Sequence, residues 1–156
     1  MINIPAIKLF NGVEMPTEGF GVFQISETEC KNIVLDAIHI GYRLIDTASS
    51  YKNEQAVGDA VKQAIDECIV SRDELFITTK AYIQEMGYDN LKWAFERSLK
   101  NLGLEYLDLY LIHMPLGDYY GAWRAMEELY EQGRIRSIGA VSYTHLRAHE
   151  TTLHLV

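Results

Sequence analysis

The chain has 156 residues, of which 48% are hydrophobic, 23% are charged and 11% are aromatic, and its formal net charge is −8. This composition excludes a disordered or low-complexity chain, and the length suits about one domain with a substantial core. The acidic balance argues against nucleic acid and anionic membranes as partners, because both select basic faces. The length is also too short for a complete (β/α)₈ barrel, which needs roughly 250 residues.

The first predicted element is a hairpin, in which Ile7–Phe10 and Val13–Met15 flank Asn11-Gly12. An Asn-Gly pair is typical of a two-residue type I′ turn. A short strand flanked by glycine is predicted next, at Gly19–Phe23.

From this point the predicted helices and strands alternate. Apolar residues recur at helical spacing in four segments, and short apolar runs between them predict strands. The helices are predicted at 27–40, 53–67, 89–102 and 122–132, the later strands at 44–46, 75–79, 107–112 and 135–141, and a turn or short helical turn at 71–74. The alternation predicts parallel βαβ units, and therefore one α/β domain of five strands and four helices.

The ends of the chain and its cysteines indicate a cytoplasmic protein. Residues 1–5 lack the basic start and apolar run of a secretory signal. No segment approaches the roughly 20 apolar residues needed to cross a bilayer. Cys30 and Cys68 both fall in helical patterns without CxxC spacing, so we expect two buried thiols rather than a disulfide.

Ionisable residues end three successive predicted strands. Asp46 ends the second, Lys80 ends the third and His113 ends the fourth, while Tyr51 follows in the loop after Asp46. The carboxyl ends of parallel strands hold the active site in barrels and open sheets alike. Each residue alone is more often a turn, cap or solvated residue, but a buried mouth tolerates Lys only beside a partner. The joint pattern therefore favours an active site.

These residue types together can build a tuned general acid. A tyrosine phenol has a pKa of about 10, and a nearby ammonium lowers that value by stabilising the phenolate. A carboxylate can hold the lysine in place, and a neutral histidine can orient a carbonyl oxygen. None of these side chains supplies electrons, so a reduction needs a hydride donor such as a nicotinamide cofactor.

Two long motifs resemble the signatures of the aldo-keto reductase family. The first is Gly41-Tyr42-Arg43-Leu44-Ile45-Asp46-Thr47-Ala48, followed by Tyr51, Asn53-Glu54 and Val57-Gly58. The second runs through Phe95-Glu96-Arg97-Ser98-Leu99-Lys100-Asn101-Leu102-Gly103 and Tyr106-Leu107-Asp108-Leu109-Tyr110-Leu111-Ile112-His113. With the hairpin, residues 19–23 and Thr79-Lys80, the resemblance covers about residues 7–139.

The resemblance implies a (β/α)₈ barrel with an N-terminal hairpin at its bottom, truncated here to about five strands and four helices. It implies reduction of an aldehyde or ketone to an alcohol with NADPH, or alternatively NADH, in a protein that is monomeric at full length. Tyr51 would donate the proton, Lys80 would lower its pKa, Asp46 would pair with Lys80 and His113 would orient the substrate carbonyl.

Further site residues follow from the same resemblance. Gly21, Val22, Phe23 and Asp46 match the positions that bind the cofactor, and Phe23, Tyr82 and His113 would line the pocket of a small carbonyl substrate. No metal is implied. Tyr82 and Met114 stand where the family often has tryptophan, which puts the preferred substrate in question but not the chemistry.

The chain departs from the family pattern near its end. The family continues Val-Ser-Asn after the segment at Gly133–Gly139, whereas this chain continues Ala140-Val141-Ser142-Tyr143. We therefore expect residues 1–142 to be the N-terminal part of the barrel and residues 143–156 to be a foreign tail. His145 and His149 have an i, i+4 spacing that can bind metal on a helix, but no third ligand matches that spacing.

Two alternatives to an active reductase stay open. A cofactor-binding subunit could act through partner contacts, although the intact Asp46, Tyr51, Lys80 and His113 set argues against it. The isolated fragment could instead be inactive, because strands six to eight are missing and the fifth strand would have an unpaired edge.

Overall fold

The structure is a computed structural model that describes residues 4–141. A hairpin of β1 (Ala6–Lys8) and β2 (Glu14–Pro16) precedes a five-stranded sheet. The strands of that sheet are β3 (Gly19–Gly21), β4 (Leu44–Asp46), β5 (Phe76–Ala81), β6 (Leu109–Ile112) and β7 (Ile138–Ala140). The helices are α1 (Glu27–Ile40), α2 (Glu54–Asp66), α3 (Tyr88–Leu102) and α4 (Tyr119–Glu131). The predicted tail, with His145 and His149, lies outside the described residues.

All neighbours in the five-stranded sheet are parallel, and their spatial order follows the chain order from β3 to β7. One helix connects each pair of consecutive strands. This confirms the predicted α/β class with five strands and four helices. The register places Gly21 beside Asp46 and Asp46 beside Thr78, so the carboxyl ends of the strands form one edge.

The apolar stripe predicted on the second helix faces the core. Ala56, Val57, Ala60, Val61 and Ala64 are all buried in α2. The helix packs closely against α3 at Gly58, where an added Cβ would lie 2.4 Å from the Leu102 carbonyl oxygen. Glycine is therefore required there by the contact between two backbones.

The hairpin is real, but its predicted two-residue type I′ turn is wrong. The Leu9 N–H donates to Val13 O, and the Gly12 N–H donates to Leu9 O, leaving Phe10, Asn11 and Gly12 in the loop. Within this loop only Gly12 has a positive φ, whereas a type I′ turn needs two such residues. Asn11 instead uses its side chain, which donates to the Arg136 carbonyl oxygen at 2.9 Å.

Several other expectations need correction, among them the strand predicted at 135–141, which is confined to Ile138–Ala140. Cys68 is exposed, because it lies just beyond the end of α2, while Cys30 is buried in α1 and burial raises the pKa of its thiol to about 11. The fourth helix begins at Tyr119 rather than at residue 122, since the Asp118 carboxylate accepts a hydrogen bond from the Gly121 N–H and caps it. The strand predicted at 107–112 begins at Leu109.

Asp108 explains that later start. Its side chain is fully buried and accepts from the Ile77 N–H at 2.9 Å, from Arg72 at 2.7 Å and from Arg136 at 2.8 Å. The carboxylate thus joins the start of β5, the 3₁₀ turn at Arg72–Glu74 and the segment before β7. Leu107 still forms an isolated parallel bridge with Ile135.

Candidate active site

The structure brings together the four predicted catalytic candidates at the carboxyl edge of the sheet. Asp46 ends β4, Lys80 lies near the end of β5, and His113 directly follows β6. Tyr51 ends a 3₁₀ turn, Ser49–Tyr51, between β4 and α2.

Lys80 lies at the centre of this cluster. Its ammonium donates to Asp46 Oδ2 at 2.6 Å and to the Thr47 carbonyl oxygen at 2.9 Å, and it lies 3.5 Å from the Tyr51 hydroxyl oxygen. The lysine side chain is only 6% exposed, so these contacts replace water around a buried cation. The phenol therefore faces a positive charge that two protein oxygens hold in position.

His113 also lies beside Tyr51. Its imidazole ring lies 5.7 Å from the Tyr51 ring and 5.7 Å from the Tyr82 ring, in both cases edge-on. Burial lowers the pKa of His113, the Lys80 charge lowers it further, and the Asp46 carboxylate opposes both effects. The imidazole is consequently biased toward its neutral form. Its Nδ1 lies 3.4 Å from the Ser50 hydroxyl oxygen.

The three predicted cofactor residues at the end of β3 and directly after it occupy different environments. Phe23 is 63% exposed and its ring lies 5.0 Å from that of Tyr51. Gly21 is exposed beside Asp46, and an added Cβ would lie 4.0 Å from Asp46 Oδ2. The Val22 side chain is fully buried in the core, and its N–H donates to the Asp46 carbonyl oxygen at 3.0 Å. Gly21 and Phe23 thus face the site, whereas Val22 anchors the loop.

Glu85 was not predicted, and it connects two loops of the site. Its carboxylate accepts from the Ser49 hydroxyl at 2.8 Å and from the Tyr82 N–H at 2.7 Å, and it pairs with Arg97. The Glu85 carboxylate therefore connects the loop that carries Tyr51 to the loop that carries Tyr82. No motif in the sequence indicates this role.

Asn53 and Glu54 were noted only as parts of a motif, and both are buried. Asn53 donates from Nδ2 to the carbonyl oxygens of Val22 and Ile25. Glu54 accepts from the Thr79 hydroxyl at 2.7 Å and from Asn101 Nδ2 at 3.1 Å. Polar residues at the start of α2 therefore fix the helix to the loops and strand around the site.

The described residues also bear on metals and membranes. Within residues 4–141, no group of three or more His, Cys, Asp or Glu side chains is arranged to hold a metal ion. None of the four helices described has both the length and the apolar character needed to span a membrane.

A parallel β/α sheet whose strands follow the chain order, with ionisable residues gathered at their carboxyl ends, has the arrangement that β/α barrels use for their active sites. Residues 14–154 match the model of the Aldo/keto reductase family. The chain belongs to this family, and its five strands and four helices are consistent with a truncated (β/α)₈ barrel of that type.

Several proteins are similar to it over most of its length. It is 50% identical over 139 residues to the glyoxal reductase of Bacillus subtilis, covering 88% of this chain and 49% of the relative. It is 49% identical over 142 residues to the methylglyoxal reductase DkgA of Yersinia pestis, covering 89% and 49%. The chain thus spans about half the length of these curated relatives.

A solved structure shows the same architecture. The aldo-keto reductase of Bombyx mori, in complex with NADP, aligns with a TM-score of 0.88 and 33% sequence identity. The alignment covers 98% of this chain and 56% of that one.

Proposed function

We propose that the protein reduces small aldehydes or ketones to alcohols, using a hydride from NADPH and a proton from Tyr51. The observation that carries this proposal is the position of the Lys80 ammonium, 2.6 Å from Asp46 and 3.5 Å from the Tyr51 hydroxyl. NADPH is proposed over NADH, with support from the NADP complex of the Bombyx mori protein.

The residues at the strand ends fit a nicotinamide group. Phe23 presents an exposed ring beside Tyr51, and Gly21 leaves room for a flat group to approach the backbone next to Asp46. Gly21, Phe23 and Asp46 would hold the cofactor, with Val22 fixing the loop from the core. When bound, the nicotinamide supplies the hydride that these side chains lack.

Each residue of the candidate active site then has a defined role. Tyr51 holds the proton on its hydroxyl, and the neighbouring ammonium of Lys80 favours the phenolate that remains after transfer. Asp46 orients Lys80. His113, biased toward neutrality, donates a hydrogen bond that orients the carbonyl oxygen. Phe23 and Tyr82 flank this position and would contact the rest of the substrate.

The names of relatives support small carbonyl compounds as the substrate class. Two similar proteins are named for glyoxal and methylglyoxal, both small dicarbonyls. A monomer in the cytoplasm, with no nucleic acid or membrane partner, belongs to the same proposal.

We test the proposal in a completed barrel, made by joining residues 1–141 to the C-terminal half of the Bacillus subtilis glyoxal reductase. Tyr51→Phe should lower turnover of methylglyoxal by at least about 100-fold, because general acid catalysis contributes this much, and should spare NADPH binding. Tyr42→Phe is the matched control, since the Tyr42 ring packs on Phe20 instead. Unchanged turnover in Tyr51→Phe refutes the assignment.

The chain spans only about half the length of these relatives. We therefore expect the 156 residues alone to behave differently from the completed barrel. We propose that residues 1–142 form the N-terminal part of the barrel and that residues 143–156 are foreign to it. The isolated chain should then show no binding of NADPH at micromolar concentrations, which a titration followed by cofactor fluorescence measures directly. Sequencing the source locus across the Ser142 codon tests the tail, and a native stop after Val156 in independent clones contradicts its foreign origin.

A further inference from the structure

The side-chain amide of Asn53 uses all of its principal hydrogen-bonding groups inside the protein. Asn53 is 1% exposed. Its Nδ2 donates to Val22 O at 2.9 Å and to Ile25 O at 3.2 Å, and its Oδ1 accepts from the Thr47 hydroxyl at 2.9 Å. A buried amide satisfied on both sides holds its neighbours in a fixed arrangement.

The two segments joined by Asn53 carry different parts of the proposed site. The segment Val22–Ile25, which we name the cofactor loop, includes the exposed Phe23. The segment Thr47–Tyr51, which we name the acid loop, ends at the proposed proton donor and includes the Thr47 carbonyl that accepts from Lys80. Asn53 therefore lies between the proposed hydride side and the proposed proton side.

Asn53 does not serve as an ordinary helix cap. It occupies the N-cap position of α2, yet its side chain makes no capping hydrogen bond. Asparagine is favoured at this position because its side chain usually accepts from the first helical N–H groups. The Asn53 side chain makes no such capping bond, and its amide bonds the two loops instead.

We propose that Asn53 is a positioning residue that couples the cofactor loop to the acid loop, so that Phe23 and Tyr51 keep a fixed separation. This rests on the proposed function for its catalytic meaning, while the coupling between the loops stands on the hydrogen bonds alone. Hydride and proton must reach the same carbonyl, and small errors in placement cost large factors in rate.

Amide hydrogen exchange tests the coupling in the chain itself. The Val22 N–H donates to Asp46 O and the Ile25 N–H donates to Val22 O, so both report on the cofactor loop. Asn53→Ser should accelerate exchange at these two amides about ten-fold, because it removes two buried hydrogen bonds from the loop.

A second variant changes the opposite side of the amide. Thr47→Val keeps both donors of Asn53 but removes the hydroxyl that anchors its Oδ1. If the two loops are coupled, exchange at Val22 and Ile25 should still rise, by about three-fold. This milder substitution also keeps the test decisive if Asn53→Ser fails to fold.

Glu54→Gln is the matched control, since Glu54 is equally buried beside Asn53 but bonds Thr79 and Asn101. It should leave exchange at Val22 and Ile25 at the parent ratio to the β6 amides, since neither Asn53 nor Glu54 bonds that strand. Acceleration spread evenly over β6 and the cofactor loop in Asn53→Ser overturns the proposal, as does an unchanged rate in Thr47→Val.

The completed barrel supplies the kinetic readout. Asn53→Ser should lower kcat for methylglyoxal about ten-fold, whereas the KM for methylglyoxal should change less, since two of the three proposed substrate contacts, His113 and Tyr82, lie outside the two loops. A parent protein without reductase activity refutes the proposed function but leaves the exchange result standing. An active parent with normal kcat in Asn53→Ser overturns the positioning role.

Discussion

The Lys80 ammonium and the Asp46 carboxylate are 2.6 Å apart, with the lysine side chain 6% exposed and the aspartate side chain 32% exposed. This asymmetry makes the aspartate the more replaceable member. A buried cation without its partner costs free energy, whereas a pair removed together does not leave an unpaired charge.

Asp46→Asn should lower the free energy of unfolding by about 2 kcal/mol, because Lys80 then keeps only neutral oxygen partners. The double variant Asp46→Asn/Lys80→Met should recover part of that loss, since the buried charge is gone. Urea denaturation of the two variants and the parent measures both effects. A double variant less stable than Asp46→Asn contradicts this explanation.

His113 should make stability depend on pH in a defined direction. Burial first, and then the Lys80 charge, hold the pKa of His113 below its usual 6.5 in the folded protein. The unfolded chain therefore binds more protons just below pH 6.5, and stability falls as pH falls from 6.5 toward the folded pKa. Above pH 6.5 this contribution is complete.

The variant His113→Gln lacks this titration, so its stability should fall less steeply than the parent's between about pH 7 and about pH 5.5. Urea denaturation of both proteins at several pH values in this range separates the contribution of the histidine from that of the carboxylates, because both proteins contain the same carboxylates. NMR titration of the imidazole should independently give a midpoint below 6.5. A midpoint above the usual value contradicts the combined effect of burial and the Lys80 charge on the pKa of His113.

Asp108 should be one of the most sensitive positions far from the site. Asp108→Asn replaces a fully buried carboxylate by a neutral amide and leaves Arg72 and Arg136 without their ion pair. It should lower the free energy of unfolding by about 3 kcal/mol. The control is Glu96→Gln, whose exposed pair with Arg134 is worth less than about 1 kcal/mol. Equal losses in the two variants would show that burial of Asp108 has no energetic consequence.

Gly58 should resist a substitution that helix propensity favours. Alanine is better than glycine in a helix by about 1 kcal/mol, but a Cβ at Gly58 would meet the Leu102 carbonyl oxygen at 2.4 Å. Gly58→Ala should therefore destabilise the protein by about 2 kcal/mol, because α2 and α3 must move apart. Asp59→Ala, on the exposed face, should stay within about 0.5 kcal/mol. A rise in Tm for Gly58→Ala contradicts the close packing.

The sequence predicted the elements whose signal lies in local periodicity. The first helix matches its predicted bounds at Glu27–Ile40, and Asp46, Lys80 and His113 meet because parallel strands bring their carboxyl ends together. Such convergence depends on the order of elements and not on the details of packing.

Other features depend on long-range contacts that local patterns do not encode. Asparagine is a residue type favoured at helix caps, but the Asn53 side chain donates to the carbonyl oxygen of Val22, 31 positions earlier in the chain. Glu85 and Asp108 were not predicted because their partners come from distant segments. The two-residue turn predicted at Asn11-Gly12 is wrong for the same reason, since the Asn11 side chain bonds the distant Arg136 and Asn11 does not take a positive φ.

The contact between Asn11 and the Arg136 carbonyl spans 125 positions. A ribosome adds about 5–20 residues per second, so the hairpin waits roughly 6–25 s before its acceptor has been synthesised. During this interval Ile7 and Phe10, which are exposed even in the folded chain, have no such anchor to the β7 side. The hairpin is therefore synthesised well before Arg136, and its docking through Asn11 has to wait until the segment that leads into β7 has been made.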